Sequence, residues 1–274
     1  MTSLPDLDLE AALHLAIRAA HEAGRIQQAH VGRAHTIRTK SSFSDLVTEV
    51  DGLCEAAIRA WIAREYPDHA VLGEEEGEQG SAAAEYRWVV DPLDGTVNYA
   101  HGFPFYCVSI ALERRSQDAD AAERLLGVVY DATRDELFTA VAGRGAHLNG
   151  APVRVSGTPT LTTPALLSTG FPYDPGDHRN LRLLGQLLAL GVPVRRPGAA
   201  ALDLCYVACG RLDGYWEMGL KPWDSAAGSL IVTEAGGQVT DALGVARADG
   251  PVIVASNGAL HDELLGVLDA GAVP

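Results

Sequence analysis

The chain has 274 residues, of which 47% are hydrophobic and 21% charged, the composition of an ordinary globular protein. Lysine and arginine total 21 against 36 aspartates and glutamates, a formal charge of −15 that argues against nucleic acid as a partner. No apolar run approaches the ~18 residues of a membrane span, and the acidic first residues differ from the basic start of a secretory signal. We therefore expect a cytoplasmic protein without a membrane partner.

In chain order, the first part of the sequence predicts two helices followed by short strands. Residues 9–28 carry apolar side chains at helical spacing, with Asp6 and Asp8 as capping candidates, and a second helix is predicted over 45–65. Gly, Pro and Asp then punctuate short runs without helical periodicity, which predicts a largely antiparallel sheet. The predicted strands are 69–72, 87–90, 106–112, 125–130, 136–140 and 153–155.

After about residue 156, strand-like and helical segments alternate, which is typical of an α/β arrangement. Strands are predicted at 165–169, 194–196, 214–217 and 252–255, and helices at 177–190, 199–209, 223–235 and 260–270. We therefore expect an α+β protein of two halves, residues 1–155 and residues 156–274.

The segment from Asp91 to Thr96 reads Asp-Pro-Leu-Asp-Gly-Thr, in which two acids lie three residues apart around a proline. Asp91 and Asp94 can converge from such a bend, and the Leu93 carbonyl lies between them. Carboxylates and carbonyls are hard oxygen ligands, which suit Mg²⁺. If Gly95 and Thr96 open a helix, their N–H groups offer a seat for phosphate.

Each acidic motif also has an ordinary structural explanation when it is taken alone. An Asp-Pro-x-Asp-Gly string is more often a turn between strands. The acidic run 74–76 is more often a solvated surface, and Asp224 after Trp223 is more often a helix N-cap. None of them alone predicts a metal site.

Taken together, however, the motifs resemble the inositol monophosphatase family in kind and in order. That family's pattern places Gly-Glu-Glu after one strand, Asp-Pro-[Ile/Leu]-Asp-Gly-[Thr/Ser] after the next, and Trp-Asp-x-Ala-Ala-Gly at the start of a later helix. The matching segments here are Gly73-Glu-Glu75, Asp91-Pro-Leu-Asp-Gly-Thr96 and Trp223-Asp-Ser-Ala-Ala-Gly228. The resemblance covers about residues 10–270.

The resemblance implies a layered αβαβα sandwich, with an antiparallel-sheet N-terminal half that carries most metal ligands and an α/β C-terminal half that completes the site. It also implies two to three Mg²⁺ ions, sensitivity to lithium, and a homodimer. Direct attack by a metal-activated water is expected, because phosphoryl transfer needs positioning and charge neutralisation more than a covalent intermediate.

Site residues follow from the resemblance position by position. The implied metal ligands are Glu74, Asp91, the Leu93 carbonyl, Asp94 and Asp224. The implied catalytic residues are Glu74, Thr96 and Asp51, which would orient the attacking water. The implied substrate contacts are Asp94, Gly95, Thr96, Ala200 and Glu217. Lys40 is expected on a mobile loop that closes over the metals.

The expected reaction is hydrolysis of inositol 1-phosphate, because an acid such as Glu217 suits the hydroxyls of a polyol. Because of Lys221, a bisphosphate substrate is also possible, since a second phosphate group prefers a cation. Fructose 1,6-bisphosphate, histidinol phosphate, 3′-phosphoadenosine 5′-phosphate and NADP are therefore alternative substrates. A catalytically silent metal- or ligand-binding regulator is the alternative of another class. Two departures from the family pattern bear on substrate preference. Val97 replaces the polar residue that is common after the motif threonine, and Asp203 stands where many relatives carry Asn.

Overall fold

The computed structural model describes six stretches of the chain, and it is these that the following sections concern. They are residues 7–33, 38–39, 46–115, 122–172, 176–246 and 252–272. The predicted loop residue Lys40 and the capping candidate Asp6 lie outside them. Within the described stretches, no helix combines the length and the apolarity needed to cross a lipid bilayer.

Seven helices occur in the described stretches. They are α1 (Leu9–His30), α2 (Glu49–Glu65), α3 (Thr96–Ala100), α4 (Arg179–Ala189), α5 (Ala200–Ala208), α6 (Pro222–Glu234) and α7 (His261–Ala272).

The described strands form three sheets. A two-stranded ribbon consists of β1 (Arg38–Thr39) and β2 (Leu46–Val47). The strands of the largest sheet are β3 (Ala70–Gly73), β4 (Gly77–Gln79), β5 (Tyr86–Asp94), β6 (Cys107–Arg114), β7 (Glu123–Asp131), β8 (Glu136–Val141), β9 (Ala146–Leu148) and β10 (Ala151–Pro152). Those of the third sheet are β11 (Leu167–Thr169), β12 (Val194–Arg195), β13 (Gly214–Met218), β14 (Gln238–Thr240) and β15 (Val252–Ser256).

The eight-stranded sheet has the order β10-β9-β8-β7-β6-β5-β3-β4 and is antiparallel except where β3 pairs with β5. The five-stranded sheet has the order β12-β11-β13-β15-β14, with β11 parallel to both of its neighbours and the other pairs antiparallel. An antiparallel-sheet N-terminal half and an α/β C-terminal half were predicted, and both are confirmed.

The helices and sheets stack in five layers, α-β-α-β-α. Helices α1 and α2 cover one face of the eight-stranded sheet, α5 and α6 lie between the two large sheets, and α4 and α7 cover the far face of the five-stranded sheet. Successive side chains of a strand point to opposite faces of the sheet, so one strand contributes apolar side chains to both layers of helices. In β5, Trp88 and Val90 face α1 and α2, whereas Val89 faces α5 and α6. The predicted layered sandwich is thereby confirmed.

The second helix begins later than predicted, at Glu49 instead of residue 45, and Asp45 itself lies outside the described residues. Thr48 determines this start, because its hydroxyl accepts a hydrogen bond from the Val50 N–H at 3.2 Å. The Asp51 carboxylate in turn accepts from the Thr48 N–H at 2.9 Å. Such reciprocal capping satisfies N–H groups that have no partner inside the helix.

The strand predicted at 153–155 is wrong. The N–H of Val153 donates to Ala146 in β9, whereas that of Val155 donates to Ala235 beyond the end of α6. Three residues whose hydrogen bonds go to two different layers cannot form one ladder. This segment is instead the connection from the eight-stranded sheet to the second half of the chain.

Candidate active site

Glu74 follows β3, at the turn of the hairpin that β3 forms with β4. Strand β3 runs parallel to β5, with Gly73 opposite Val90. The Glu74 N–H donates a hydrogen bond to the Val90 carbonyl at 3.2 Å. Because the two strands are parallel and in register, Glu74 lies beside Asp91, the residue after Val90.

A β-bulge places Asp91 and Asp94 on the same face of β5. Asp91 pairs with Ser109 and Asp94 with Cys107, so β5 has one more residue than β6 in this interval. Residues three apart in a regular strand point to opposite faces, and the extra residue of a bulge removes that difference. The Leu93 N–H donates to Asp91 Oδ1 at 3.0 Å, which holds the bend in place.

Thr96 is the first residue of α3, and its hydroxyl lies between two acceptors. Thr96 Oγ1 is 2.9 Å from Asp51 Oδ1 and 3.0 Å from the Leu93 carbonyl oxygen. Asp51 is fully buried in the first turn of α2. Its other oxygen, Oδ2, accepts from the Thr48 N–H at 2.9 Å and from the Thr48 hydroxyl at 2.6 Å. The Asp51 carboxylate is therefore held rigidly and orients the Thr96 hydroxyl.

Asp224 comes from the C-terminal half, in the first turn of α6. Its Oδ2 accepts a hydrogen bond from the Lys221 N–H at 2.7 Å, so it helps to cap this helix. It does so from the third helical position, because the N-cap residue is Lys221 and not Asp224, as the ordinary explanation had suggested. The Ser109 hydroxyl donates to the Trp223 carbonyl at 3.3 Å. Because Ser109 pairs with Asp91, this bond places the start of α6 over the face of β5 that carries the acids.

Four carboxylates from both halves lie within electrostatic range of one another. They are Glu74, Asp91, Asp94 and Asp224. Burial raises the pKa of Asp91 and of Asp224 well above the usual range for aspartate, and the neighbouring acids raise both further. Burial also raises the pKa of Asp94 to about 7, and Glu74 adds to this. The repulsion makes the site unfavourable until a cation neutralises it.

The donor set of these acids, together with the Leu93 carbonyl, consists of hard oxygen ligands of the kind Mg²⁺ prefers. In the described part of the chain, no three His, Cys, Asp or Glu side chains converge closely enough to enclose an ion. The fit to a divalent cation therefore rests on the ligand chemistry and on the mutual repulsion that a cation would relieve.

Asp94 also joins the two halves of the molecule. Its Oδ2 accepts from the Ala201 N–H at 2.8 Å and its Oδ1 from the Ala200 N–H at 3.3 Å. These N–H groups belong to the first turn of α5, where an acid is favourable because the helix leaves them without internal partners. Ala200, predicted as a backbone contact for substrate, is thus in direct contact with Asp94.

Glu217 lies on β13, on the C-terminal side of this acidic centre. Burial raises the pKa of Glu217 to about 7, and the charge of Asp94 acts in the same direction, whereas Tyr215 and Arg196 lower it. The Tyr215 hydroxyl donates to Glu217 Oε2 at 2.5 Å. A Cβ at Gly170 would lie 2.0 Å from the Glu217 carboxylate, so only glycine leaves room for this side chain.

The structure thus places each described site residue that the sequence predicted around one seam between the halves. Sequence reasoning missed the roles of Ser109 and Gly170. It also missed Glu55, a fully buried acid of α2. The one feature of the sequence that could have indicated Glu55 is its four-residue spacing from Asp51, which places the two acids on the same face of the helix.

Asp203 is a buried acid behind Glu217. It is 1% exposed. Among the described residues, its Oδ1 has no hydrogen-bond partner, and no cation is among the groups that influence its pKa. Burial raises the pKa of Asp203 well above its usual range; the interaction with the Ser168 hydroxyl opposes this shift, and the carboxylates of Glu217 and Asp94 add to it. A protonated Asp203 has nearly the same shape as an asparagine side chain.

We expect the variant Asp203→Asn to be more stable than the wild-type protein in EDTA. Native Asp203 keeps its proton where the unfolded chain releases it, so the wild-type protein loses stability as pH rises from the usual range of aspartate toward the raised pKa. Asparagine has no such proton. The thermal midpoint, measured by circular dichroism across pH, should rise by at least about 2 °C near pH 8, the response to about 1 kcal/mol in a protein of this size.

This difference in midpoint should shrink as the pH falls toward about 4, the unfolded pKa of aspartate. The matched control is Asp213→Asn, since the Asp213 carboxylate accepts from the Leu166 N–H at 2.7 Å and from the Ser156 hydroxyl at 2.5 Å. That control should lose stability near pH 8. An Asp203→Asn midpoint at or below the wild-type value near pH 8 would contradict a neutral Asp203.

Comparison with known proteins places this geometry in a family. The model described as inositol monophosphatase family matches residues 8–270. The chain is 45% identical to the inositol-1-monophosphatase of Synechocystis sp. over 267 residues, 96% of this chain and 90% of that protein. It is also 45% identical to Nus factor SuhB of Pseudomonas aeruginosa over 239 residues, 85% of this chain and 86% of that protein.

Among solved structures, the inositol monophosphatase from Anabaena (Nostoc) superposes with a TM-score of 0.84 at 40% identity, covering 98% of each chain. That structure and the relatives above match over most of both lengths, so the similarity extends to the whole fold.

Proposed function

The chain belongs to the inositol monophosphatase family, and on this premise we propose that it hydrolyses inositol 1-phosphate and related myo-inositol monophosphates to inositol and phosphate with Mg²⁺. One observation carries the proposal. Four mutually repelling carboxylates, contributed by both halves of the chain, lie beside a threonine hydroxyl that an aspartate holds in place.

We assign the orientation of the attacking water to Thr96 and Asp51, with Glu74 beside them. Asp51 Oδ1 accepts the Thr96 hydroxyl hydrogen at 2.9 Å, which leaves the lone pairs of Thr96 Oγ1 to accept a hydrogen bond from water. Because Asp51 is fully buried and held through its other oxygen by Thr48, the hydroxyl keeps one direction. If the hydroxyl were free to rotate, the attacking water would lose the positioning on which phosphoryl transfer depends.

The residues that would hold two to three Mg²⁺ ions are Glu74, Asp91, the Leu93 carbonyl oxygen, Asp94 and Asp224. When bound, Mg²⁺ supplies a water of lowered pKa and neutralises the charge of the phosphate and its leaving oxygen. A solved structure of a relative, an inositol monophosphatase/NADP phosphatase in complex with NADP and Ca²⁺, supports divalent-ion binding in this fold; it is 26% identical, with a TM-score of 0.83.

Glu217 supports the choice of a polyol ester. Its carboxylate accepts hydrogen bonds, lies against Gly170 near Asp94, and suits the hydroxyl groups of an inositol ring. The charge of Arg196 is close enough to lower the pKa of Glu217, however, and its guanidinium lies 5.2 Å from the centre of the Phe171 ring. This cation keeps an ester with a second phosphate, or NADP, as the alternative substrate class.

We further propose that residues 1–155 and 156–274 act as two halves of one active site, and that the protein is a homodimer, as the family resemblance implies. The shared core supports the first point, because α5 and α6 pack on side chains from both large sheets.

A second candidate function is that of a Nus factor. The name of the Pseudomonas aeruginosa relative, Nus factor SuhB, favours it. Such a role would add a macromolecular partner to the small phosphate ester, although the formal charge of −15 argues against direct contact with nucleic acid.

The test is phosphate release from a panel of esters, each with Mg²⁺ and again with EDTA. The panel contains inositol 1-phosphate, fructose 1,6-bisphosphate, histidinol phosphate, 3′-phosphoadenosine 5′-phosphate and NADP. We expect Mg²⁺-dependent preference for inositol 1-phosphate. We also expect inhibition by Li⁺ at limiting Mg²⁺, because a Li⁺-soaked inhibitory complex exists for a staphylococcal relative.

The other outcomes separate the alternatives. Preference for another ester would keep the metal-dependent reaction and reject the argument from Glu217. Release that is unchanged in EDTA would reject the metal assignment. No release from any ester would favour the regulator and Nus-factor alternatives.

A further inference from the structure

The backbone around Glu74 is attached to helix α2 by a buried acid. The Glu55 carboxylate accepts hydrogen bonds from the next two N–H groups after Glu74, that of Glu75 at 2.8 Å and that of Glu76 at 3.0 Å. The Glu74 N–H itself donates to the Val90 carbonyl at 3.2 Å. The chain is therefore fixed on both sides of the Glu74 side chain.

Arg59, one helical turn after Glu55, holds the carbonyl groups of the same hairpin. Its guanidinium donates to the Val71 carbonyl at 3.3 Å and to the Gly77 carbonyl at 2.6 Å, one on each strand. Arg59 also pairs with Glu55 Oε1 at 2.8 Å. Together the two side chains engage donors and acceptors on both sides of the turn, which a fork-shaped guanidinium is suited to do.

The ion pair and the hairpin are in direct contact. A Cβ placed on Gly73 would lie 2.4 Å from Glu55 Oε1 and 2.6 Å from Arg59 Nη2. A side chain on the glycine before Glu74 would therefore displace the pair, which packs directly against the backbone.

Stability alone is a weak reason for this pair. Glu55 is fully buried and the Arg59 side chain is 11% exposed. Burying such a pair carries a desolvation penalty that the attraction repays only in part, and apolar replacements are often as stable. A buried ion pair of this kind is better explained by the position that it imposes.

Helix α2 holds two parts of the site from one face. Asp51 and Glu55 are four residues apart, and both are fully buried. Asp51 holds the Thr96 hydroxyl at 2.9 Å, and Glu55 holds the backbone that follows Glu74. The two residues that hold these parts of the site are thus separated along a rigid helix by a rise of about 6 Å, at roughly 1.5 Å per residue.

We propose that Glu55, supported by Arg59, is a positioning residue that sets Glu74 relative to Thr96 and so determines how tightly the site binds Mg²⁺. This inference rests on the proposed function, in which Glu74 is a metal ligand. Glu55 acts through the backbone of the hairpin and does not touch the ion or the ester.

The test compares Glu55→Gln with the matched control Glu113→Gln. Glu113 is 3% exposed and paired with Arg87 at 2.6 Å, four residues along β6 from Ser109 and thus away from the acids. We expect Glu55→Gln to weaken Mg²⁺ binding about 10- to 100-fold, the usual loss when a group supporting a ligand is removed. Binding is measured by isothermal titration calorimetry on the EDTA-treated protein after removal of chelator.

A merely structural role predicts a different result. In that case both variants would lower the thermal midpoint and both would bind Mg²⁺ like the wild-type protein, which would overturn the proposal. The proposed role predicts that only Glu55→Gln changes Mg²⁺ binding. It also predicts that the kcat of Glu55→Gln falls at saturating Mg²⁺ while KM for the ester changes less than about threefold, since the ester contacts lie elsewhere.

Arg59→Lys keeps the proposal testable if Glu55→Gln fails to fold. Lysine retains the charge beside Glu55 and loses the fork that reaches Val71 and Gly77. We expect it to weaken Mg²⁺ binding about tenfold, and wild-type binding in this variant would overturn the proposal. If the wild-type protein neither binds Mg²⁺ nor releases phosphate, the proposed function fails first and the inference with it. Normal wild-type behaviour with unaffected variants rejects the inference alone.

Discussion

The variant Asp91→Asn should lose turnover at least about a thousandfold, equivalent to about 4 kcal/mol of transition-state stabilisation, and should melt at a higher temperature than the wild-type protein in EDTA. The loss follows because a carboxylate that we assign as a metal ligand becomes a neutral amide. The gain follows because Asp91 is buried among three other acids that raise its pKa. The asparagine Oδ1 can still accept the hydrogen bond from the Leu93 N–H.

The expected gain has a definite pH dependence. Native Asp91 has a raised pKa, so the wild-type protein without metal loses stability as pH rises from the usual range of aspartate toward that value. The advantage of Asp91→Asn should therefore be larger at pH 8 than at pH 5. Calorimetric midpoints in EDTA measure it, and kcat with inositol 1-phosphate at saturating Mg²⁺ measures the loss.

Two further variants test whether the gain in stability of Asp91→Asn comes from reduced repulsion between the carboxylates. Asp94→Asn should lose turnover to a similar extent without gaining stability, because one of its two accepting oxygens becomes an amide that faces the N–H of Ala200 or Ala201. Asp131→Asn is the control at a buried acid that is outside this set of four. Asp131 is fully buried and paired with Arg134 at 2.7 Å, so this variant should lose stability and keep its turnover. A midpoint for Asp91→Asn that is lower than the wild-type value would contradict the repulsion.

The variant Thr96→Ala should lower kcat about 10²- to 10⁴-fold, the contribution of a positioned proton-handling group, with Mg²⁺ binding almost unchanged. Thr96 supplies a hydroxyl directed by Asp51 and, in our assignment, no metal ligand. The Leu93 carbonyl loses a neighbour at 3.0 Å but stays in place. Steady-state kinetics and Mg²⁺ titration calorimetry on the same preparations measure the two effects.

The conservative variant Thr96→Ser tests the hydroxyl itself and should retain most of the activity. The double variant that combines Thr96→Ala with Asp51→Asn tests whether the two residues act as one unit. If Asp51 works by directing Thr96, the double variant should be no slower than the slower of the two single variants. Multiplicative losses would show that Asp51 acts independently, for example only as the cap of α2.

The sequence predicted most helices because their signals are local, whereas the layered sandwich was implied by the family resemblance. Helix α1 follows from apolar residues at helical spacing and from Asp8, whose carboxylate accepts from the N–H of Glu10 at 3.0 Å. The resemblance also named the acids that the structure gathers at one seam. The start of α2 was missed because it is set by the reciprocal capping of Thr48 and Asp51, and the segment from Asp45 looks equally helical in sequence.

The support of Glu74 could not be predicted because it depends on tertiary contact. An acid and an arginine four residues apart on a helix usually form an exposed pair, and nothing in the sequence places Glu55 and Arg59 under a hairpin. Gly170 gave no signal either, because its importance comes from Glu217, 47 residues later, whose carboxylate fills the space beside it. Such contacts exist only once two distant elements pack.

The division of the site between the halves has a consequence for synthesis on the ribosome. Glu74, Asp91 and Asp94 are translated long before Asp224, and also before the amides of α5 that receive Asp94. Until α5 and α6 emerge, one face of the eight-stranded sheet lacks its cover and its acids lack their partners. Domains generally fold as they leave the ribosome, N-terminal part first. Here the N-terminal half can reach its final state only when most of the remaining chain has been translated.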